Sequence, residues 1–284
     1  MSAPSGYPDY LNSPLTQFAL EDAPALLELS ESIGWPHEIG DWQTSLAASK
    51  IFGHRGADGK ILSSAGIYQF GSELGALAVV LVREEFRRQG LARAAVLKCL
   101  GEIPRIPVML VATPFGEPLY ESLGFKAVER IVRLIAPQGA SLPAKGAVDA
   151  MTSADLPRVF ELDRRIYAAD RSQVLRHRWT QVEGGVMLAD GTGFAWKIAQ
   201  RGGFVIGPVI ATTAKDAAHL VGYLTTGFPG RIKIEVPERH TELLQLLTGA
   251  GFAVDSSRPL MLKHAEAFPG RREHLFGLAS LGFC

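Results

Sequence analysis

The sequence predicts an α/β fold built from two copies of one unit in tandem. Three observations carry this. Continuously apolar, strand-like runs alternate with helical patterns along both halves of the chain. Gly-Phe recurs at Gly124-Phe125 and Gly251-Phe252, one domain length apart, and the spans Val82 to Phe125 and Ala211 to Phe252 are nearly equal. Between the copies lies APQGASLPAKGA (residues 136–147), whose Pro, Gly, Ala and Ser read as a linker. The expected boundaries are a first domain over 1–137, a linker over 138–147 and a second domain over 148–284. A length of 284 residues suits two domains of roughly 150 residues each.

Residues 15–32 read as a helix, with Leu26, Leu27 and Leu29 at helical spacing. GWPHEIGDW (34–42) breaks it, and a second short helix follows toward Ala48. Residues 50–70 form a hairpin around Asp58-Gly59, a strong turn signal. Residues 76–82 are too continuously apolar for a half-exposed strand and should be central. A helix over 91–100 gathers Ala92, Ala95, Val96 and Cys99 on one side. A buried strand (108–112), a short helix (118–123) and a closing strand (128–135) complete the first copy. The second copy repeats this grammar: a helix (156–169), a hairpin (186–197), an apolar strand (204–211), a helix (214–224), a strand (232–236) and a short helix (242–247).

Composition excludes several classes. Lys+Arg 29 balances Asp+Glu 29, so bulk charge favours neither nucleic acid nor a membrane surface. Two distant cysteines, Cys99 and Cys284, make neither a disulfide framework nor a metal cluster and suit a reducing cytosol. The start, MSAPSGYPDYLNSP, is no signal peptide, and the longest apolar run falls far short of the ~20 residues of a membrane span. The seven histidines lack ligand spacing, so no metal is expected, and there is no G-x-S-x-G. The expectation is a soluble cytoplasmic protein, monomeric or homodimeric.

The informative stretch is VVLVREEFRRQGLARAAVLKCL (79–100). Arg87-Arg88-Gln89-Gly90-Leu91-Ala92 occupies a strand-to-helix turn. A helix N-terminus leaves its first N–H groups unpaired and carries about half a positive charge. Small residues at Gly90 and Ala92 let an anion approach that backbone, and the arginines add attraction. The turn is suited to a phosphate or pyrophosphate, yet neither G-x-x-x-x-G-K-[ST] nor G-x-G-x-x-G is present. About 30 residues on comes ATPFGEPLYESLGF, which ends in Tyr120, Gly124 and Phe125.

In these two motifs the chain resembles the GNAT acyl-CoA-dependent N-acetyltransferases, whose signature is a strand, then [RQ]-x-x-G-x-[GA] opening a helix, then Tyr-x-x-x-Gly-Phe. Here Arg87, Gly90 and Ala92 match the first motif, and Ala92 stands where glycine is also common. The resemblance covers residues ~15–135 and implies twisted, mostly antiparallel sheets flanked by helices. It implies that N–H groups from Gln89 to Ala92 hold the pyrophosphate of acetyl-CoA, with Leu91 and Arg93 in the same cradle. Arg87 or Arg88 would reach phosphate, and Val80, Leu81 and Val82 would pair with the pantetheine arm. AADRSQVL, IGPVIA with DAAHL, GAGF and FGLASLG further resemble a tandem-GNAT group whose second domain is degenerate.

Acetyl transfer to an amine needs a base, an oxyanion donor and a proton for the departing thiolate. The donor can be a backbone N–H near Val80, where strand pairing is interrupted. By similarity Tyr120 is the acid, with packing as its alternative role. The central strand offers no base. The candidates are His37, Glu38 and Asp41, in the loop that lines the acceptor site in GNAT folds, and Glu73 just before the strand; Trp35 and Trp42 could wall that site. Each acidic group could instead be solvated or cap a helix. The second copy lacks Arg-x-x-Gly, carries Thr212, Thr213 and Lys215 at the junction, and has Leu247 in the place of Tyr120. It is expected to be structural, with Asp170, Arg171 and Arg258 either shaping the acceptor pocket or forming surface ion pairs, and weak acyl-CoA binding by Thr212 and Thr213 as an alternative.

The expected function is acetyl transfer from acetyl-CoA to a small-molecule or peptide amine. The alternatives are a lapsed acyl-CoA-binding regulatory module and a peptide-binding interaction protein.

Overall fold

The computed structural model describes residues 15–103, 105–140, 142 and 147–284. Two compact units divide the chain: residues up to Gln69 with Leu77–Arg105, and Phe70–Ala76 with Ile106–Cys284.

In the first unit β1 (Thr16–Phe18) precedes α1 (Ala23–Ser32), α2 (Ile39–Ala48), β2 (Lys50–Gly53) and β3 (Ser63–Phe70). The strands run in the order β1, β2, β3 and then β4 (Leu74–Val82), with β1–β2 and β2–β3 antiparallel. The expected helix over 15–32 thus begins as a three-residue strand and is helical from Ala23 to Ser32. Phe18 enters the core from β1, and the helix starts only where Pro24 fits its first turn. Leu26 and Leu29 of α1, Trp42 of α2, Ile51 and Leu81 share that core. The turn at Asp58-Gly59 forms, with Gly59 left-handed (φ 85°) and its N–H bonded to the Gly56 carbonyl at 3.0 Å. α3 (Leu91–Glu102) buries Leu91, Ala95, Val96 and Cys99.

In the second unit, strands from both sequence copies pair with one another. Its elements are β5 (Val108–Val111), α4 (Glu117–Ser122), β6 (Lys126–Ala136), β7 (Val148–Ala150), α5 (Leu156–Tyr167), α6 (Ser172–Trp179), β8 (Val182–Leu188), β9 (Phe194–Gln200), β10 (Gly203–Ile210), α7 (Ala214–Thr225), β11 (Arg231–Pro237), α8 (Thr241–Gly249), β12 (Ala253–Lys263) and β13 (Leu275–Gly277). The order is β5-β12-β6-β11-β10-β9-β8-β7, with β13 beside β10. β12, from the second copy, lies between β5 and β6 of the first and is antiparallel to both. β6 in turn pairs with β11 from Ile131↔Pro237 to Ala136↔Ile232. The copies exchange their long strands, so the compact units do not coincide with 1–137 and 148–284. Arg133 and Glu235 face each other across β6 and β11 and form an ion pair at 2.8 Å, with the Glu235 side chain buried.

The described part of the proposed linker packs down. The Gly139 N–H bonds to the Gly230 carbonyl at 2.9 Å, and Leu142 joins the core of Leu134, Ile206, Val221, Ile234 and Leu247. Residues 141 and 143–146 of that linker, and the start over 1–14, lie outside the described residues. No helix among the described residues is long and apolar enough to cross a membrane.

Candidate acyl-transfer site

In the first unit β4 is buried from Leu74 through Ala78 and then opens, with Val79, Val80 and Val82 only half buried. The opening coincides with a backbone irregularity at Val79 (φ 46°), a left-handed conformation costly for a β-branched residue. The Ser64 hydroxyl donates to the Val79 carbonyl at 2.6 Å. Central burial on both faces therefore holds for the first part of the strand only.

Beyond β4, Arg83 is an anchor that sequence reading passed over. Its Nε donates to the Ile61 carbonyl at 2.8 Å and its guanidinium pairs with Glu28 at 2.9 Å. The chain then turns through Arg88 (φ 60°) and Gly90 (φ 86°), the residue before α3. Two left-handed residues so close together curl the backbone ahead of a helix whose first turn holds no acidic side chain. Arg87 is exposed and pairs with Glu84 at 3.0 Å; Arg88 and Arg93 are also exposed. Gln89 bonds back to the Glu85 carbonyl at 3.3 Å. An exposed helix N-terminus flanked by three arginines fits the pyrophosphate of coenzyme A.

The loop between α1 and α2 belongs to this unit. Trp42 is no wall: it is core, its indole N–H donating to Ser30 Oγ at 3.2 Å. His37 is half buried, 5.4 Å from the Trp35 ring and 5.3 Å from the Trp42 ring. Asp41 caps α2 by accepting the Glu38 N–H at 2.9 Å, and Glu38 is exposed. Glu73 sits exposed on the turn that opens β4, at the opposite end of that strand from Val80–Val82, where it bonds to Ser72 at 2.8 Å.

In the second unit, α4 carries Tyr120. Gly124 is left-handed (φ 86°) and ends the helix, so that the Phe125 N–H folds back onto the Tyr120 carbonyl at 3.0 Å and the two rings meet edge-on at 5.9 Å. Burial pushes the phenol well above its ordinary pKa, so at neutral pH it keeps its proton. Its hydroxyl has no hydrogen-bond partner among the described residues.

The corresponding places in the second copy are filled by the chain itself. At the N-terminus of α7, Thr213 Oγ1 accepts the Asp216 N–H at 3.1 Å, and the Asp216 carboxylate accepts the Thr213 hydroxyl at 2.7 Å. A carboxylate thus already occupies the first turn, where an incoming phosphate would meet like charge. β10 and β11 pair in parallel only from Gly203↔Arg231 to Ile206↔Ile234. Beyond that, Val209 and Ile210 pair with β13, while the Leu278 N–H bonds to the Glu235 carbonyl of β11 at 2.9 Å. The chain's own residues 275–278 lie between the two strands.

Arg171 is not a surface ion pair. It is fully buried, grips Asp163 through two bonds at 2.8 and 2.9 Å, and donates to the Phe283 and Cys284 carbonyls. Asp170 caps the start of α6 through the Ser172 N–H at 2.9 Å, and Arg258 is half buried on β12.

Comparison with known proteins places the chain in a family. One family model, described as an acetyltransferase (GNAT) domain, matches residues 42–133, and a second with the same description matches 159–277. This chain belongs to the GNAT acetyltransferase superfamily, with two such domains in tandem. It is 27% identical over 271 residues, 92% of its length and 94% of the relative's, to the uncharacterized N-acetyltransferase YitH of Bacillus subtilis. Its fold is similar to that of a putative acetyltransferase from Pyrococcus horikoshii, with a TM-score of 0.82 at 15% identity over 100% of this chain and 99% of that one. A tandem GNAT protein from the clavulanic acid biosynthesis pathway matches at a TM-score of 0.63 and 14% identity, over 90% of this chain and 99% of that one. The tandem GNAT chain thus keeps an open helix N-terminus in its first copy and a filled one in its second.

Proposed function

We propose that the chain transfers an acetyl group from acetyl-CoA to a small-molecule or peptide amine, by direct attack, using the first copy alone. The observation that carries this is the left-handed turn at Arg88 and Gly90, which leaves the α3 N-terminus exposed beneath three arginines. The N–H groups from Gln89 to Ala92 take the pyrophosphate, with Leu91 and Arg93 in the same cradle and Arg87 and Arg88 neutralising its charge. The stretch Val80, Leu81 and Val82, half buried at its two valines, takes the pantetheine arm as an added strand. Acetyl-CoA supplies an activated thioester.

The chain's residues supply the rest. An N–H next to Val79 stabilises the oxyanion, His37 or Glu38 removes the amine proton directly or through water, and Trp35 provides apolar wall. Tyr120, neutral because it is buried, donates its proton to the leaving thiolate.

Calorimetric titration with acetyl-CoA tests this reading. One site per chain that disappears in Gly90→Glu, which sets a carboxylate where phosphate belongs, is expected. No binding at millimolar acetyl-CoA overturns it.

A further inference from the structure

β3 begins Ser63-Ser64-Ala65-Gly66, an odd composition for a buried strand, and both serines are wholly inaccessible to solvent. A buried hydroxyl is tolerated where it meets a partner, and that of Ser64 meets the Val79 carbonyl at 2.6 Å. Val79 is the β4 residue that adopts the left-handed conformation, φ 46°. Such backbone persists only where the surroundings hold it in place. Gly66 is the second restraint: a Cβ there would stand 2.8 Å from Val79 Cγ2, so only glycine leaves room for the valine side chain in this conformation. Along the rest of the strand Val79, Val80 and Val82 are only half buried, while Leu81 stays in the core.

These facts have one common consequence. A peptide rotated at Val79 cannot continue the regular alternation of N–H and carbonyl groups along β4, and its carbonyl must be satisfied elsewhere. Ser64 does this. We propose that Ser64 and Gly66 are positioning residues for acyl transfer: they lock Val79 left-handed so that the next N–H, at Val80, meets the acyl oxygen. The proposal rests on the acetyltransferase reading and names residues of β3 that touch no substrate.

Acetyl-CoA and coenzyme A differ by the acetyl group, so comparing them isolates this N–H from the pyrophosphate cradle. Wild type, Ser64→Ala, Gly66→Ala and Gly90→Glu would each be titrated with both ligands, with folding checked by thermal melts. The wild type is expected to prefer acetyl-CoA. In Ser64→Ala and Gly66→Ala that preference falls roughly fivefold, about one neutral hydrogen bond, while affinity for coenzyme A is retained. If Ser64→Ala does not fold, Gly66→Ala decides by itself. A preference unchanged in the folded variants, a parallel loss of both ligands, or a wild type that binds the two alike overturns the positioning role. With any of these, loss of both ligands in Gly90→Glu leaves the acetyltransferase reading standing. A wild type that binds neither ligand overturns both.

Discussion

Leu247 occupies in the second copy the place that Tyr120 occupies in the first. The Phe252 N–H bonds to the Leu247 carbonyl at 3.1 Å as the Phe125 N–H bonds to the Tyr120 carbonyl at 3.0 Å, and each phenylalanine follows a left-handed glycine, Gly251 or Gly124. The backbone motif has survived twice and the hydroxyl once. Packing alone therefore accounts for an apolar residue at this position, and the phenol of Tyr120 is free to serve chemistry. Tyr120→Phe, which keeps the ring on Phe125, should lower kcat about a hundredfold with little change in KM or stability. Steady-state kinetics with any accepted amine checks this. An unchanged kcat would show that the phenol is packing.

The two helix N-termini should respond oppositely to mutation. Thr213 and Asp216 cap each other at the start of α7, so Thr213→Ala should cost about 1 kcal/mol of stability and leave acetyl-CoA affinity and stoichiometry unchanged. Gly90→Glu should abolish binding and cost about 1 kcal/mol of stability, the penalty for a side chain at a left-handed position (φ 86°) on an exposed turn. Calorimetry and urea unfolding on both variants separate cap from cradle. A second acetyl-CoA site in the wild type would mean that residues 275–278 leave the gap between β10 and β11.

The arginine-glycine turn was legible because its logic is local: glycine, arginines and a helix start lie within one short stretch. The continuously apolar strands β4, β5 and β10 were legible for the same reason. β12 was hidden because AVDSSRPLMLK mixes polar residues with Pro259, a poor residue for a central strand, accommodated here with register shifts after Val254 and Leu260. The exchange of β6 and β12 was not legible either, since periodicity names the buried face and not the partner strand. Val79 was invisible in a different way. Nothing in a valine announces a left-handed backbone, and the cue lay in the Ser-Ser-Ala-Gly of a neighbouring strand.

Because of that exchange, residues 1–137 should not fold alone. In that fragment β5 lacks β12, and β6 lacks both neighbours, leaving unpaired ladder groups and the Arg133 guanidinium without Glu235. Co-expression with residues 138–284 should restore a compact complex. Circular dichroism, proteolysis and gel filtration of the fragment, alone and with its complement, read this out. A cooperative monomeric fold for the fragment alone would refute the exchanged pairing.

His240 should make the protein acid-sensitive. Its ring stacks on Phe276 with centroids 4.0 Å apart, and its Nε2 N–H donates to the Leu275 carbonyl at 2.7 Å, holding β13 in place. Burial presses its pKa down to about 4 from the ordinary 6.5. The unfolded chain therefore takes up a proton as the pH falls through 6.5, whereas the folded chain resists until about 4, and folding loses stability across that window. The loss should be roughly 2–3 kcal/mol between neutral pH and pH 4. His54, whose pKa burial also lowers, adds in the same direction. In His240→Gln the amide still donates to Leu275 but cannot titrate, so its stability should fall less over that range. Urea unfolding of both proteins at several pH values decides the matter, and parallel curves would assign the acid sensitivity to other groups.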